Sequence, residues 1–255
     1  MSRLIFAANW KMHLAPAAAR QLVHEVLARH RPVAGRDQIF FPPSVSLSAV
    51  VEEIKGRRDV AAGAQNVYWE AKGAFTGEIS APMAAEAGAT WALVGHSERR
   101  HKFGETDAET GRKVRAVLAA GLKAMLCVGE LIEERRAGRT EEVVLRQLEA
   151  GLAGLDAATT AQVVIAYEPV WAIGTGVNAT PSDAAAVHRT IRQWLTARIP
   201  AGARSAILYG GSVNPDNAAA LLAEDELDGV LVGGASLEAE SWIRILSTPR
   251  PPGEG

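Results

Sequence analysis

Val163-Val164-Ile165-Ala166-Tyr167-Glu168-Pro169-Val170-Trp171-Ala172-Ile173-Gly174-Thr175-Gly176 opens as a strand and ends as a loop. Residues 163–167 are apolar without polar alternation, the pattern of a strand covered on both faces in a parallel sheet. The run stops at Glu168, and Pro169 follows. Proline fixes its own φ and biases its predecessor toward extended geometry, so Glu168 does not readily start a helix. Val170, Trp171, Ala172 and Ile173 are apolar where a loop would be solvated, and Gly174-Thr175-Gly176 supplies two permissive backbone positions. A carboxylate at a strand tip, followed by an oily segment between a stiff end and a flexible end, suits a base beneath a lid. The same residues also suit a buried strand-to-helix connection with a capping Glu.

Seven further apolar runs share this character: residues 4–8, 38–41, 60–64, 91–94, 124–128, 206–209 and 229–232. Between them the spacing turns helical, as in Val114, Val117, Leu118 and Gly121, or Val187, Ile191, Trp194 and Leu195. About eight βα units with no long linker, in a chain of 255 residues, predict an α/β protein with a closed (β/α)₈ barrel. The alternative is an open doubly wound sheet. One domain is expected over residues 1–247, with 248–255 a proline-rich, unfolded tail.

A hydrophobic content of 48% suffices for a large core, and a formal charge of −2 offers no surface for nucleic acid. The run Arg99-Arg100-His101-Lys102 lies among Glu98 and Glu105 and reads as a solvated, ion-paired face. Glu133, Glu134, Arg135, Arg136, Arg139, Glu141 and Glu142 mix signs as one exposed helix would. The single cysteine, Cys127, excludes an internal disulfide and fits a reducing compartment. No span approaches the roughly 20 apolar residues of a membrane helix, and residues 4–8 are too short for a signal peptide. A cytoplasmic protein without membrane attachment is expected.

In a parallel barrel the C-terminal strand ends build the site. Asn9-Trp10-Lys11 follows the first run, Gly95-His96-Ser97-Glu98 the fourth, Glu168 the sixth, Gly210-Gly211-Ser212 the seventh, and Gly233-Gly234-Ala235-Ser236 the eighth. Glycine-exposed N–H groups ahead of a helix attract anions, so Gly211, Ser212, Gly233 and Gly234 mark a phosphate site. Singly, each pair also fits a tight βα turn. Gly174-Thr175-Gly176-Val177-Asn178-Ala179 matches a dinucleotide fingerprint. However, Thr180-Pro181 delays the helix, and Arg198 stands where an acidic residue is needed, so no nicotinamide cofactor is expected. No metal is expected: His96 and His101 miss the one-face spacing, and His13, His24, His30 and His188 read as structural or surface residues. Cys127 reads as packing. A carboxylate, an imidazole, a cation (Lys11) and a phosphate anchor together suit proton abstraction beside a carbonyl of a small phosphorylated molecule.

Asn9-Trp10-Lys11-Met12, Gly95-His96-Ser97-Glu98-Arg99-Arg100, residues 166–176, Tyr209-Gly210-Gly211-Ser212-Val213 and Val232-Gly233-Gly234-Ala235-Ser236-Leu237 together resemble the triosephosphate isomerase family. The resemblance spans nearly the whole chain. It implies interconversion of dihydroxyacetone phosphate and glyceraldehyde 3-phosphate, with no metal and no cofactor. It implies Glu168 as general base, His96 as electrophile and proton shuttle, Lys11 as the cation beside the enediolate, and Asn9 as a neighbouring hydrogen-bonding residue. It further implies Gly174, Ser212, Gly233 and Gly234 as phosphate-binding amides, and Glu98 as a buried carboxylate ordering the lysine. Pro169, Val170, Trp171, Ala172, Ile173, Gly174, Thr175 and Gly176 match the lid; its closure and the neutral state of the histidine are known of the family rather than read from these residues. The connection over residues 65–78 resembles the loop that reaches a neighbouring subunit's site through Thr76, which implies a homodimer. His13 and the hinge Val177-Asn178-Ala179 depart from the family's usual residues, the second bearing on lid kinetics. Other occupants of the same residues are an isomerase of a four-carbon sugar phosphate, an aldolase with a Schiff base at Lys11 or Lys123, and a barrel used only for binding.

Overall fold

The structure is a computed structural model that describes residues 3–173 and 179–249. Eight strands close into one barrel in chain order: β1 (Leu4–Asn9), β2 (Arg36–Phe41), β3 (Val60–Ala64), β4 (Trp91–Val94), β5 (Lys123–Val128), β6 (Val164–Tyr167), β7 (Ile207–Tyr209) and β8 (Gly229–Val232). Every pairing is parallel, and β1 meets β8 at the seam, with Ile5 opposite Gly229 and Ala8 opposite Val232. The sheet is therefore the closed barrel and not the open alternative. β3, β4 and β8 occupy their predicted residues; the other five differ by one or two residues at an end, with Val163 and Ala206 falling outside β6 and β7.

The helices are α1 (Pro16–Arg29), α2 (Leu47–Glu53), α3 (Ala81–Glu86), α4 (Ser97–Phe103), α5 (Asp107–Ala119), α6 (Ile132–Arg136), α7 (Thr140–Gly151), α8 (Ala157–Thr160), α9 (Pro181–Thr196), α10 (Ala218–Leu222) and α11 (Ala239–Leu246). Local chemistry sets their starts. The Thr106 hydroxyl accepts from Glu109 N–H while the Glu109 carboxylate takes Thr106 N–H, and Thr180 and Asp183 repeat this ahead of α9. Each such cap contributes about 1 kcal/mol. α9 begins at Pro181, after its cap Thr180.

Strand alternation sorts the core into two layers. Ile5, Ala7, Ile39, Phe41, Leu93, Met125, Cys127, Val164, Ala166, Leu208 and Leu231 pack together inside the barrel. Their alternates, among them Phe6, Phe40, Leu126, Ile165, Tyr167 and Val230, pack outward with the helices. Each fully buried side chain of this size contributes roughly 1.5–3 kcal/mol. The same period of two places the site. Two residues beyond inward-facing Ala7, Leu93, Cys127, Ala166, Leu208 and Leu231 stand Asn9, Gly95, Gly129, Glu168, Gly210 and Gly233. They ring the C-terminal mouth.

Several expectations change. The mixed-sign run is two helices, α6 and α7, because Gly138 turns left-handed (φ 70°) between them. The basic run is ion-paired but not wholly solvated. Arg100 has a side chain only 6% exposed, and donates to Gly95 O at 2.7 Å, Cys127 O at 3.1 Å and Asp107 at 2.6 Å. Thr248, the first residue of the expected tail, is buried and donates to Arg244 O, while residues 250–255 lie outside the described residues. Among the described residues no helix is long and apolar enough to cross a membrane.

Candidate active site

Glu168 is held against the barrel mouth by its own backbone. Its N–H donates to Val128 O at 2.7 Å, continuing the β5–β6 ladder one residue past β6 before Pro169 ends it. The side chain is 2% exposed. One carboxylate oxygen lies 3.0 Å from His96 Nε2, and the other accepts Ser97 N–H at 2.8 Å. Room for the Glu168 side chain comes from the residues after β7: a Cβ on Gly210 would sit 2.9 Å from Glu168 Cγ, and one on Gly211 would sit 2.2 Å from the Tyr209 hydroxyl. The first glycine pair is thus required by sterics, independently of any anion it faces.

His96 caps α4, and its Nδ1 accepts Glu98 N–H at 3.3 Å. With Nδ1 accepting, the ring proton is on Nε2, where it donates to Glu168. Burial pushes the imidazole pKa down, but the Glu168 carboxylate against Nε2 outweighs burial and leaves it above the ordinary value. That upward pull belongs to Glu168 and leaves with it when another oxygen takes its place at Nε2. The residue preceding the histidine is pinned from both sides: Gly95 N–H donates to Glu105 at 3.0 Å, and Gly95 O accepts from Arg100. Glu105 is buried with Lys113, whose ammonium it binds. The Glu105 and Lys113 supports did not stand out in the sequence, because they share no motif with the histidine.

Lys11 adopts a left-handed backbone (φ 51°), unusual for a side chain with a Cβ. Asn9 Oδ1 accepts Lys11 N–H at 2.9 Å, and Gln65 Nε2 donates to Lys11 O at 2.7 Å and to Phe41 O at 2.8 Å. Lys11 Nζ then reaches Glu98 at 3.0 Å. Glu98 was expected to be buried; its side chain is 31% exposed, so the pair orients the ammonium rather than stabilising the fold, at under about 1 kcal/mol. Burial raises the Glu98 carboxyl and the Lys11 ammonium more than reverses it, so its pKa stands below the ordinary value.

Across the mouth, Gly234 opens a short 3₁₀ turn (Gly234–Ser236), whose first N–H groups have no partner inside the turn. A Cβ on Gly233 would lie 3.4 Å from Lys11 Cε and 3.9 Å from Nζ, and one on Gly234 would meet nothing within 4 Å. Lys11 therefore stands between this turn and the His96–Glu168 pair. One cavity of about 350 Å³ is lined by Asn9, Lys11, His96, Glu168, Ser212, Gly233 and Gly234, with Ile173 at its edge. These are the sequence-identified residues, brought together from five strand ends.

The start of the lid is also seated. Val170–Ala172 form a 3₁₀ turn, Val170 N–H donates to Glu130 O at 3.1 Å, and Trp171 Nε1 donates to the Glu130 carboxylate at 2.9 Å. Glu130, fully buried and also bonded by the Tyr167 hydroxyl, was not anticipated from the sequence. Burial raises its pKa, the bonds from Trp171 and Tyr167 only partly opposing it. Gly174, Thr175 and Gly176 of the expected lid, and with them the Gly174 phosphate amide and the hinge residues Val177 and Asn178, lie outside the described residues. Thr76 is exposed on the connection after β3. Cys127 is buried in the barrel, where burial pushes its thiol well up, so it packs rather than reacts. Among the described residues no group of three or more His, Cys, Asp or Glu could hold a metal ion.

Comparison with known proteins matches residues 4–248 to the triosephosphate isomerase family. The triosephosphate isomerase of Herpetosiphon aurantiacus is 49% identical over 248 residues, covering 96% of this chain and 99% of the relative. Those of Syntrophotalea carbinolica and Nitratidesulfovibrio vulgaris are 48% and 47% identical, covering 96% and 95% of this chain and 98% of each relative.

Proposed function

We infer the division of labour in this site from one premise: the chain belongs to the triosephosphate isomerase family. It is an isomerase that interconverts dihydroxyacetone phosphate and D-glyceraldehyde 3-phosphate by proton transfer through an enediolate, a step of glycolysis and gluconeogenesis. Glu168 is the base. The observation that supports this is the convergence of Glu168, His96 and Lys11 on one cavity whose far wall is the Gly233–Gly234 turn.

The phosphate is held by N–H groups of Ser212, Gly233 and Gly234, joined by Gly174, and Lys11 faces both it and the reacting oxygens. The substrate oxygen takes the place of Glu168 at His96 Nε2, and Nε2–H polarises it. Displaced from the imidazole, Glu168 turns over the carbon, removes its proton and returns it to the neighbouring carbon while His96 moves protons between the oxygens. Asn9 spends its carbonyl oxygen on Lys11 N–H, which fixes the strained lysine; Glu98 fixes the ammonium. Pro169, Val170, Trp171, Ala172 and Ile173 lead the lid over the site. Excluding water there protects an enediolate that would otherwise expel its phosphate.

The active species is a homodimer located in the cytoplasm. Met12, Val45, Met83, Phe103 and Phe75 are exposed apolar side chains, from 39% to 94% accessible, which a second copy would cover. A hollow of about 430 Å³ lined by Gln65, Glu78, Met83 and Arg99 suits the Thr76 loop of that copy, and Gln65 connects it to Lys11. The test is a coupled assay with the triose phosphates and a four-carbon analogue, on enzyme whose mass is read by light scattering. The triose pair should be preferred by about 10–200-fold in kcat/KM, in particles of twice the 27.0 kDa chain mass. Preference for the longer sugar, or borohydride trapping of a Schiff base, would overturn the assignment; a fully active monomer would overturn the dimer.

A further inference from the structure

Gln147 is a polar residue on an apolar stripe. It shares the inward face of α7 with Val143, Val144, Leu148 and Gly151, all buried, and is itself 4% exposed. A carboxamide placed there is costly unless its donor and acceptor are both paired. Both are, and by one residue: Gly129 N–H donates to Gln147 Oε1 at 2.8 Å, and Gln147 Nε2 donates to Gly129 O at 3.1 Å. An amide presents a donor and an acceptor side by side in this way without a change of protonation.

Gly129 stands at the mouth end of β5 and touches the backbone of Glu168. A Cβ built on it would be 1.7 Å from Glu168 O, 2.6 Å from Glu168 C and 3.2 Å from its Cα. The flanking residues carry the rest of that segment. Val128 O accepts Glu168 N–H at 2.7 Å, and Glu130 holds Val170 through its carbonyl and Tyr167 and Trp171 through its carboxylate. Residues 128–130 are thus a seat on which residues 167–171 rest, with no clearance between Gly129 and the base. Gln147 is the side chain that fastens the middle of this seat to the helical layer. It does not line the cavity and does not reach the substrate.

We propose that Gln147 is a positioning residue for proton abstraction, holding Gly129 so that Glu168 meets the substrate carbon in line. The proposal rests on Glu168 being the base. Gln147→Met keeps volume and removes both bonds; Gln147→Leu removes both with a shorter apolar side chain. In the full-length enzyme, kcat should fall about tenfold or more in both, while KM and the inhibition constant of inorganic phosphate stay within about twofold, since roughly 1 Å at the base is worth about 10²-fold. The primary isotope effect on kcat, with substrate deuterated at the carbon that loses its proton, should rise. A folded variant with kcat within about twofold of the parent, or a loss shared equally by KM and phosphate affinity, would overturn the proposal. If Gln147→Met does not fold, Gln147→Leu decides on the same criteria. Glu168→Asp, measured beside them, separates the two ideas. Unchanged turnover there removes the base assignment itself, whereas a fall there with unchanged Gln147 variants removes only the seat.

Discussion

Glu168 and Asp228 are equally buried carboxylates, each 2% exposed, at opposite ends of one barrel, and their surroundings differ in kind. Asp228 precedes β8 at the N-terminal rim. It binds the guanidinium of Arg192, that of Arg204 at 3.0 Å, and Ile207 N–H at 3.0 Å. Glu168 follows β6 at the C-terminal rim, bonded to an imidazole and a peptide N–H beside a cavity, with no fixed cation on it. Taking a carboxylate out of water costs several kcal/mol, and the protein offsets that cost in two ways. Two guanidiniums anchor Asp228 as structure. Glu168 is held instead by an imidazole and a peptide N–H, partners that carry no permanent charge. Burial alone does not distinguish these two carboxylates; the permanent charge of their partners does.

The contrast breaks most visibly at the base. Glu168→Gln keeps the shape and cannot accept a proton, so kcat should fall about 10³-fold or more with little change in melting temperature. Steady-state kinetics showing near-parent turnover would end the distinction. Asp228→Asn should act the other way round. Arg192 keeps only Glu226 and the half-exposed Arg204 loses its counter-charge, so unfolding free energy should drop by about 1–3 kcal/mol in denaturant titration, and kcat of the folded fraction should stay within about twofold. Unaltered stability would mean that the charge pair is worth no more than a surface one.

His188 sharpens the comparison with a third treatment, burial in the neutral form. It is fully buried against Tyr167, with Nδ1 3.3 Å from Glu226 O, and burial pushes its pKa from 6.5 down to about 4. Below pH 6.5 the unfolded chain takes up a proton that the folded one refuses until about pH 4. Stability is therefore retained above pH 6.5 and lost as pH falls toward 4, by about 3 kcal/mol in all. His188→Gln should flatten that slope in unfolding measurements across the window. An identical slope in the variant would assign the acid sensitivity elsewhere.

Much of this was legible before any coordinates. β6 could be placed because an unbroken apolar run has one common use in an α/β chain, and Glu168 because Pro169 forbids the helix that would otherwise bury it in a cap. Lys11, His96 and the Gly233–Gly234 turn follow from the same strand-end logic. The clearance that Gly210 gives Glu168 was not legible, since a glycine needed for clearance looks the same in a sequence as one offered to an anion. Ser97, Gln65, Glu130 and Gln147 were not found. Their partners lie from 18 to 71 residues away, and pairing across that distance leaves no local pattern. For Gln147 one signal was present, a lone amide on an inward helical stripe.

The sequence by itself determined the number and order of the βα units, and it singled out Glu168, His96 and Lys11 as residues that meet at one end of the barrel. These depend on periodicity and on backbone restrictions that act within a few residues. Only the tertiary structure decided which ring nitrogen faces Glu168, which glycines are forced by contact, and which side chains hold the strand ends. Each of those is a hydrogen bond or a clearance between segments that meet only when the barrel closes.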